Sequence, residues 1–142
     1  MSIIVHGIAV ETLIQMFIDA GFEVDGLRTQ DGAIEHPPVL ECTRHEIRTI
    51  VELIDDSSCQ RQYAHIHLCA EMPADGAIWD FWENDPDSLP RHTPMIRLER
   101  EYTCDGGVTP EWIRRRILDW EFELDEQRRA VLERAPEPSK GN

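Results

Sequence analysis

The sequence contains a single lysine, few aromatic residues and no long hydrophobic run. No apolar segment approaches the ~20 residues that a helix needs to cross a bilayer, so we expect no membrane-spanning segment. The N-terminus has a short apolar run without a basic region before it or a small-residue cleavage site after it. A secretory signal has both features, so the sequence predicts a cytoplasmic protein.

Cysteine pairs and catalytic motifs are also missing. Cys42, Cys59, Cys69 and Cys104 are irregularly spaced and form no Cys-x-x-Cys pair, and in a cytoplasmic chain such residues are expected to be free thiols. The sequence has no Gly-rich phosphate loop, nucleophile elbow or H-E-x-x-H motif. We therefore expect a protein that is not an enzyme, with no catalytic residues and no cofactor.

Negative charge is abundant and unevenly placed. The chain has 28 acidic and 14 basic residues, a formal net charge of −14. Residues 1–110 contain 20 of the acids and 7 of the bases, whereas residues 111–142 contain 8 and 7. Such a field repels phosphate backbones, which disfavours direct nucleic-acid binding, and it suits a partner with a basic surface. The alternative is that the charge serves solubility alone.

The length of 142 residues fits one domain, which we place at residues 1–134, followed by a disordered tail at 135–142. Apolar spacing predicts a helix over 8–20, ended by Gly21, and a long helix over 109–133. Thr109 is suited to cap the long helix, and Pro110 to be its first residue. Its predicted core stripe consists of Ile113, Ile117, Trp120, Leu124 and Val131, and Trp112, Leu118 and Phe122 widen that apolar face.

Alternation of apolar and polar residues predicts strands at 22–25, 39–42, 63–72 and 95–102. Residues 43–56 fit two interpretations: a helix that begins with the capping box Thr43–Glu46, or a buried β-branched strand. Turns are predicted at 30–32 and 105–107, and a short helix at 77–82. The order of elements predicts an α+β fold, in which an antiparallel sheet packs against an N-terminal helix and a long C-terminal helix.

His65, His67 and Cys69 lie on one face of the predicted strand and have zinc-binding side chains. The alternative is a polar strand face that happens to carry them, since alternation predicts such a face and no local residue pair completes a site. The sequence favours this alternative, so we expect no metal.

Trp79, Phe81 and Trp82 form a dense aromatic group within an acidic frame. Tryptophan is enriched at interface hot spots, although at least one of these rings is expected to pack in the core. We predict Trp79, Phe81, Trp82, Trp112 and Trp120 as protein-binding residues.

The strand Ile96–Tyr102, the turn from Gly106 to Glu111 and the helix through Trp112, Ile117, Trp120 and Leu124 resemble the YbjN domain family. The opening helix that ends at Gly21 is similar to that family's first helix. The resemblance implies a fold similar to type III secretion chaperones, a homodimer, and binding of another protein without turnover. A dimer also fits the broad apolar face of the last helix.

Three functions follow as hypotheses. The first is a chaperone-like adaptor or regulator that acts as a dimer and binds another protein. The second is an acidic inhibitor that mimics nucleic acid and blocks a basic site on a nucleic-acid-handling complex. The third is a zinc-dependent or zinc-stabilised protein that uses His65, His67 and Cys69.

Overall fold

A computed structural model describes residues 3–27, 29–30, 33–34, 38–56, 62–79, 82 and 92–134. Its elements, in chain order, are β1 (Ile8–Ala9), α1 (Val10–Asp19), β2 (Glu23–Leu27), β3 (Thr29–Gln30), β4 (Ala33–Ile34), β5 (Val39–Arg44), β6 (Ile47–Asp56), β7 (Gln62–Pro73), a 3₁₀ turn (Gly76–Ile78), β8 (Met95–Thr103) and α2 (Pro110–Arg134). The predicted turn residues Asp31 and Gly32, the residue Phe81 and the tail 135–142 lie outside the described residues.

Six of the strands form one antiparallel sheet in the order β1, β7, β6, β5, β2, and β8 pairs with β7 on the same side as β1. β3 and β4 form a separate two-stranded ladder. Both helices contribute buried residues to the same core cluster as the sheet. The predicted α+β fold, with an antiparallel sheet, an N-terminal helix and a long C-terminal helix, is confirmed.

Residues 43–56 form a hairpin, so the helical interpretation of this segment is wrong. The end of β5 pairs with the start of β6, from Arg44 opposite Ile47 to Val39 opposite Glu52. Alternate residues of β6 from Ile47 to Leu53 are buried, as a strand packed on one face requires. His45 and Glu46 form the turn at φ 56° and 67°, the left-handed pair that a two-residue hairpin needs.

The long helix α2 begins and ends within one residue of the prediction. The Oγ1 atom of Thr109 accepts a 3.1 Å hydrogen bond from the Trp112 amide, the contact expected of a helix cap. All five predicted stripe residues, Ile113, Ile117, Trp120, Leu124 and Val131, are buried. A bridge between Val5 and Val108 fixes the start of this helix to the N-terminal segment.

A buried hydrogen bond joins α2 to the centre of the sheet. The indole Nε1–H of Trp120 donates to Thr49 Oγ1 over 3.0 Å. Both residues have no solvent-exposed surface, and Thr49 is a polar residue inside an apolar core. Because a buried polar group without a partner is costly, the two side chains satisfy each other and set the position of α2 on β6.

Other predicted elements are confirmed with shifted ends. The helix over 8–20 is α1, preceded by the short strand β1, and the strands over 22–25, 63–72 and 95–102 are β2, β7 and β8. The turn after β8 contains Gly106 and Gly107, both at positive φ. Among the described residues, no helix has the length and apolar character needed to cross a membrane.

Candidate protein-binding surface

The helices pack on one face of the sheet, and we call the opposite face the open face. On β7, Ile66, Leu68 and Ala70 are buried towards the helices, whereas the residues between them point the other way. His65, His67 and Cys69 therefore lie together on the open face, as the sequence predicts. Each is partly exposed.

The register of the strands assembles an acidic surface on the open face. Seven carboxylates lie on it, from five different strands, against the two arginines Arg48 and Arg97. The seven are Glu23, Asp25, Glu41, Glu52, Glu71, Glu99 and Glu101. No short motif in the sequence marks this set, because the members are brought together only by cross-strand pairing.

Histidine and arginine bridge some of these carboxylates at the centre of the open face. His67 lies between Glu52 and Glu99, with its ring nitrogens 3.8 and 3.6 Å from their Oε1 atoms. Arg97 contacts Glu99 at 2.8 Å and Glu71 at 3.7 Å. These carboxylates keep about half of their side-chain surface exposed (Glu99 48%, Glu71 53%), so they can still contact a partner.

The predicted metal ligands do not converge on one point. His65, His67 and Cys69 are spaced two residues apart on one strand, which separates neighbours by about 6.6 Å along the chain. Zinc ligands lie about 2.0–2.3 Å from the ion, so three such side chains would all have to turn towards one point to bind it. Nowhere in the described part of the chain do three or more His, Cys, Asp or Glu residues form a group that could hold a metal ion.

Three of the predicted protein-binding tryptophans lie in the core. Trp79, Trp82 and Trp120 are buried, and the Trp79 and Trp82 rings pack with their centroids 5.3 Å apart. Trp112 is partly exposed, packs edge-on against Tyr102 and lies beneath the Arg116 guanidinium. Burial gives the first three a packing role in this structure, whereas contact of any of the four with a partner stays a prediction.

The β5–β6 turn is fastened to α2 by its own two residues. His45 Nε2 lies 2.7 Å from Glu121 Oε1, and Glu46 Oε2 accepts a 3.1 Å hydrogen bond from Arg128. The same Glu46 oxygen accepts a 3.3 Å hydrogen bond from the Trp79 indole. Left-handed conformations cost about 1–2 kcal/mol for residues other than glycine, and these contacts offset part of that cost at His45 and Glu46.

The outward side of α2 carries the largest exposed apolar residues of any described helix. Leu118 is 50% exposed and Phe122 is 56% exposed, one helical turn apart. Leu132 is exposed further along the same side. Leu118 and Phe122 lie beside the core stripe of α2, as the sequence predicts, and no described residue covers their exposed halves.

The described thiols are free and weakly acidic. Burial, with a smaller contribution from Asp25, raises the pKa of Cys42 to about 12, and burial also raises the pKa of Cys69 and Cys104. The reactive species of cysteine is the thiolate. These residues therefore remain protonated at neutral pH and are poorly suited to nucleophilic attack.

We expect alkylation at pH 8 to discriminate among these thiols. Cys69 is partly exposed whereas Cys42 is fully buried, so iodoacetamide should modify Cys69 first and should reach Cys42 only after denaturation. Peptide mapping by mass spectrometry measures the order. Modification of Cys42 at the rate of Cys69 in the folded protein would contradict the buried position.

A shallow pocket of about 130 Å³ lies between the N-terminal segment, α1 and the start of α2. Its lining is mainly apolar and includes Ile8, Met16 and Ile113. Pockets for drug-sized ligands are about 300–1,000 Å³, so this pocket is too small to enclose one.

Comparison of the chain with protein-family models, with curated proteins and with solved structures found no match. The resemblance to the YbjN family, and with it the chaperone-like fold, therefore stays a prediction.

Proposed function

We propose that this protein is a non-enzymatic adaptor that binds a basic segment or surface of another protein through its open face. The observation that carries the proposal is the acidic surface that five strands assemble on the side of the sheet away from the helices. Complementary charge steers two proteins together and selects among partners. A basic partner is thus the class that this surface fits.

The composition of the open face supports a binding role over solubility alone. Exposed apolar side chains lie among its carboxylates, including Ile54 on β6 and Met95 on β8. A partner that covers the face would bury these side chains and exclude water from the surrounding ion pairs. Mixed apolar and charged surface of this kind is typical of protein–protein interfaces.

The acidic-inhibitor hypothesis uses the same surface, and only the nature of the partner differs. An inhibitor that mimics nucleic acid binds where its target binds phosphate, so nucleic acid competes with it. An adaptor that holds a basic protein segment needs no nucleic-acid site on its partner. Competition therefore separates the two functions.

The test is affinity capture from source cells with three forms of the protein. The first is unmodified, and the second carries Glu52→Gln, Glu99→Gln and Glu101→Gln on the open face. The third, a matched control, loses three exposed carboxylates from the helical side through Glu11→Gln, Glu126→Gln and Glu133→Gln. Both variants remove the same charge, so any difference in partner binding between them must come from where the carboxylates lie.

We expect the open-face variant to retain the partner about three- to hundredfold less well, because each of three exposed charge contacts is worth about 0.2–1 kcal/mol. The helical-side control should retain it like the unmodified protein. Binding should also weaken steeply between about 50 and 500 mM salt, since exposed charges are screened. Equal retention by both variants, or binding that is flat in salt, would refute the proposal, and displacement by duplex DNA or RNA would assign the inhibitor function.

A further inference from the structure

The outward side of α2 has a charge pattern that is complementary to itself in reverse order. Residues 111, 115, 118, 122, 125, 129 and 132 follow one another at steps of three or four and therefore share one side of the helix. The sequence along this side is Glu, Arg, Leu, Phe, Asp, Arg, Leu. Leu118 and Phe122, at its centre, are about half exposed.

We propose that this side of α2 binds a second copy of the chain, with the two helices antiparallel about a two-fold axis level with Trp120. That alignment places Leu118 against Phe122 of the second copy. It places Arg115 opposite Asp125 of the second copy, and Glu111 opposite Arg129 of the second copy. Each contact occurs twice, as a closed two-fold dimer requires.

Charge also determines the direction of the pairing. In a parallel pair aligned in register, every charged residue of the stripe would face its own copy, so Arg115 would meet arginine and Asp125 would meet aspartate. Like charges at facing positions disfavour an arrangement. The antiparallel alignment instead places opposite charges on both sides of the apolar centre.

Contacts within one chain prepare the charged part of this surface. Arg129 donates a hydrogen bond to Asp125 one turn before it. In the dimer, Asp125 would lie between its own Arg129 and Arg115 of the second copy, and Arg129 would also reach Glu111 of the second copy. The result is a row of four alternating charges on each side of the Leu118–Phe122 centre. Arg115 has no ion-pair partner among the described residues, and the second copy supplies one.

The proposed dimer does not use the open face, which lies on the other side of the sheet. Self-association and partner capture can therefore fail separately. Ile54→Glu on the open face provides a matched control, since it makes the same change from apolar to acidic on a half-exposed residue.

The test is sedimentation equilibrium over about 5 to 200 µM protein, a range that brackets dimers of modest affinity. We expect the unmodified chain and Ile54→Glu to dimerise, and Phe122→Glu to weaken the dimer at least about tenfold, because both central apolar contacts are replaced by a carboxylate that faces Leu118 of the second copy. Circular dichroism checks that the variants fold, as expected for an exposed position. A monomer throughout the range, or a dimer insensitive to Phe122→Glu, would overturn the proposal.

A charge exchange tests the orientation. Glu111→Arg and Arg129→Glu should each weaken the dimer several-fold. The double variant should dimerise more tightly than either single variant, because it restores opposite charges between the copies, although the bond from Arg129 to Asp125 is lost. The two positions are about 27 Å apart along one helix, so they cannot compensate each other within a chain. A double variant that remains as weak as the single variants would refute the antiparallel alignment.

Discussion

Replacing Trp120 with alanine is expected to lower the free energy of unfolding by about 3–5 kcal/mol, the cost of truncating a large buried aromatic residue. Trp120 is fully buried and links the centre of α2 to β6. Domains of this size have a total stability of about 5–15 kcal/mol. The substitution should therefore remove a large part of it, and urea denaturation followed by circular dichroism gives the value.

Substitutions at Thr49 separate the hydrogen bond from the packing. Thr49→Val keeps the shape but leaves the Trp120 indole without its acceptor, which should cost about 1–3 kcal/mol. Thr49→Ser keeps the hydroxyl and with it the hydrogen bond to Trp120. It should therefore keep most of the stability that Thr49→Val loses. If valine proved as stable as threonine, the hydrogen bond would have no net effect on stability.

Replacing Trp79 with alanine should destabilise the fold by a similar amount, about 3–5 kcal/mol. The Trp79 ring packs against Trp82, and the Arg128 guanidinium lies 5.9 Å from its centroid. Its indole also donates to Glu46. Removing it takes away packing between the segment after β7, the β5–β6 turn and α2 at once.

This substitution also distinguishes core packing from partner contact. If Trp79 is a core residue, Trp79→Ala lowers the urea midpoint, and Trp79→Phe lowers it less because most of the apolar surface remains. If Trp79 is instead an anchor for a partner, stability should stay unchanged while capture of the partner is lost. Trp112→Ala serves as the comparison. Because Trp112 is partly exposed, this substitution should lower the free energy of unfolding by less.

The sequence was sufficient for elements whose residues follow a regular period. The stripe of α2 and the alternation of β7 identified both elements and the side that each buries. The period also placed His65, His67 and Cys69 on one face of β7. These signals are local, so neighbouring residues along the chain were enough to interpret them.

The β5–β6 turn could not be predicted in this way. Two-residue turns of this kind favour asparagine and glycine, whereas this chain has His45 and Glu46 at left-handed φ. The contacts that compensate come from Glu121 and Arg128, 76 and 82 residues further on. Local preferences therefore fit the capping-box helix and the buried strand equally well. The contacts of the turn with α2 decide in favour of the strand.

The acidic open face was partly predictable for a related reason. Composition shows that negative charge is concentrated before residue 111, but not that acids from five strands share one surface. That gathering depends on strand register, such as Glu52 opposite His67 and His67 opposite Glu101. A sequence pattern within any one strand does not contain this information.

The connection between α2 and the middle of the chain has a consequence for protein synthesis. The ribosome releases residues 1–109 before any of α2, yet Thr49 and the β5–β6 turn depend on partners 71 to 82 residues later. During translation the inner face of the sheet therefore lacks its long covering helix until nearly the whole chain has emerged. The nascent protein should expose apolar surface until that moment and then fold as a unit, as small domains generally do.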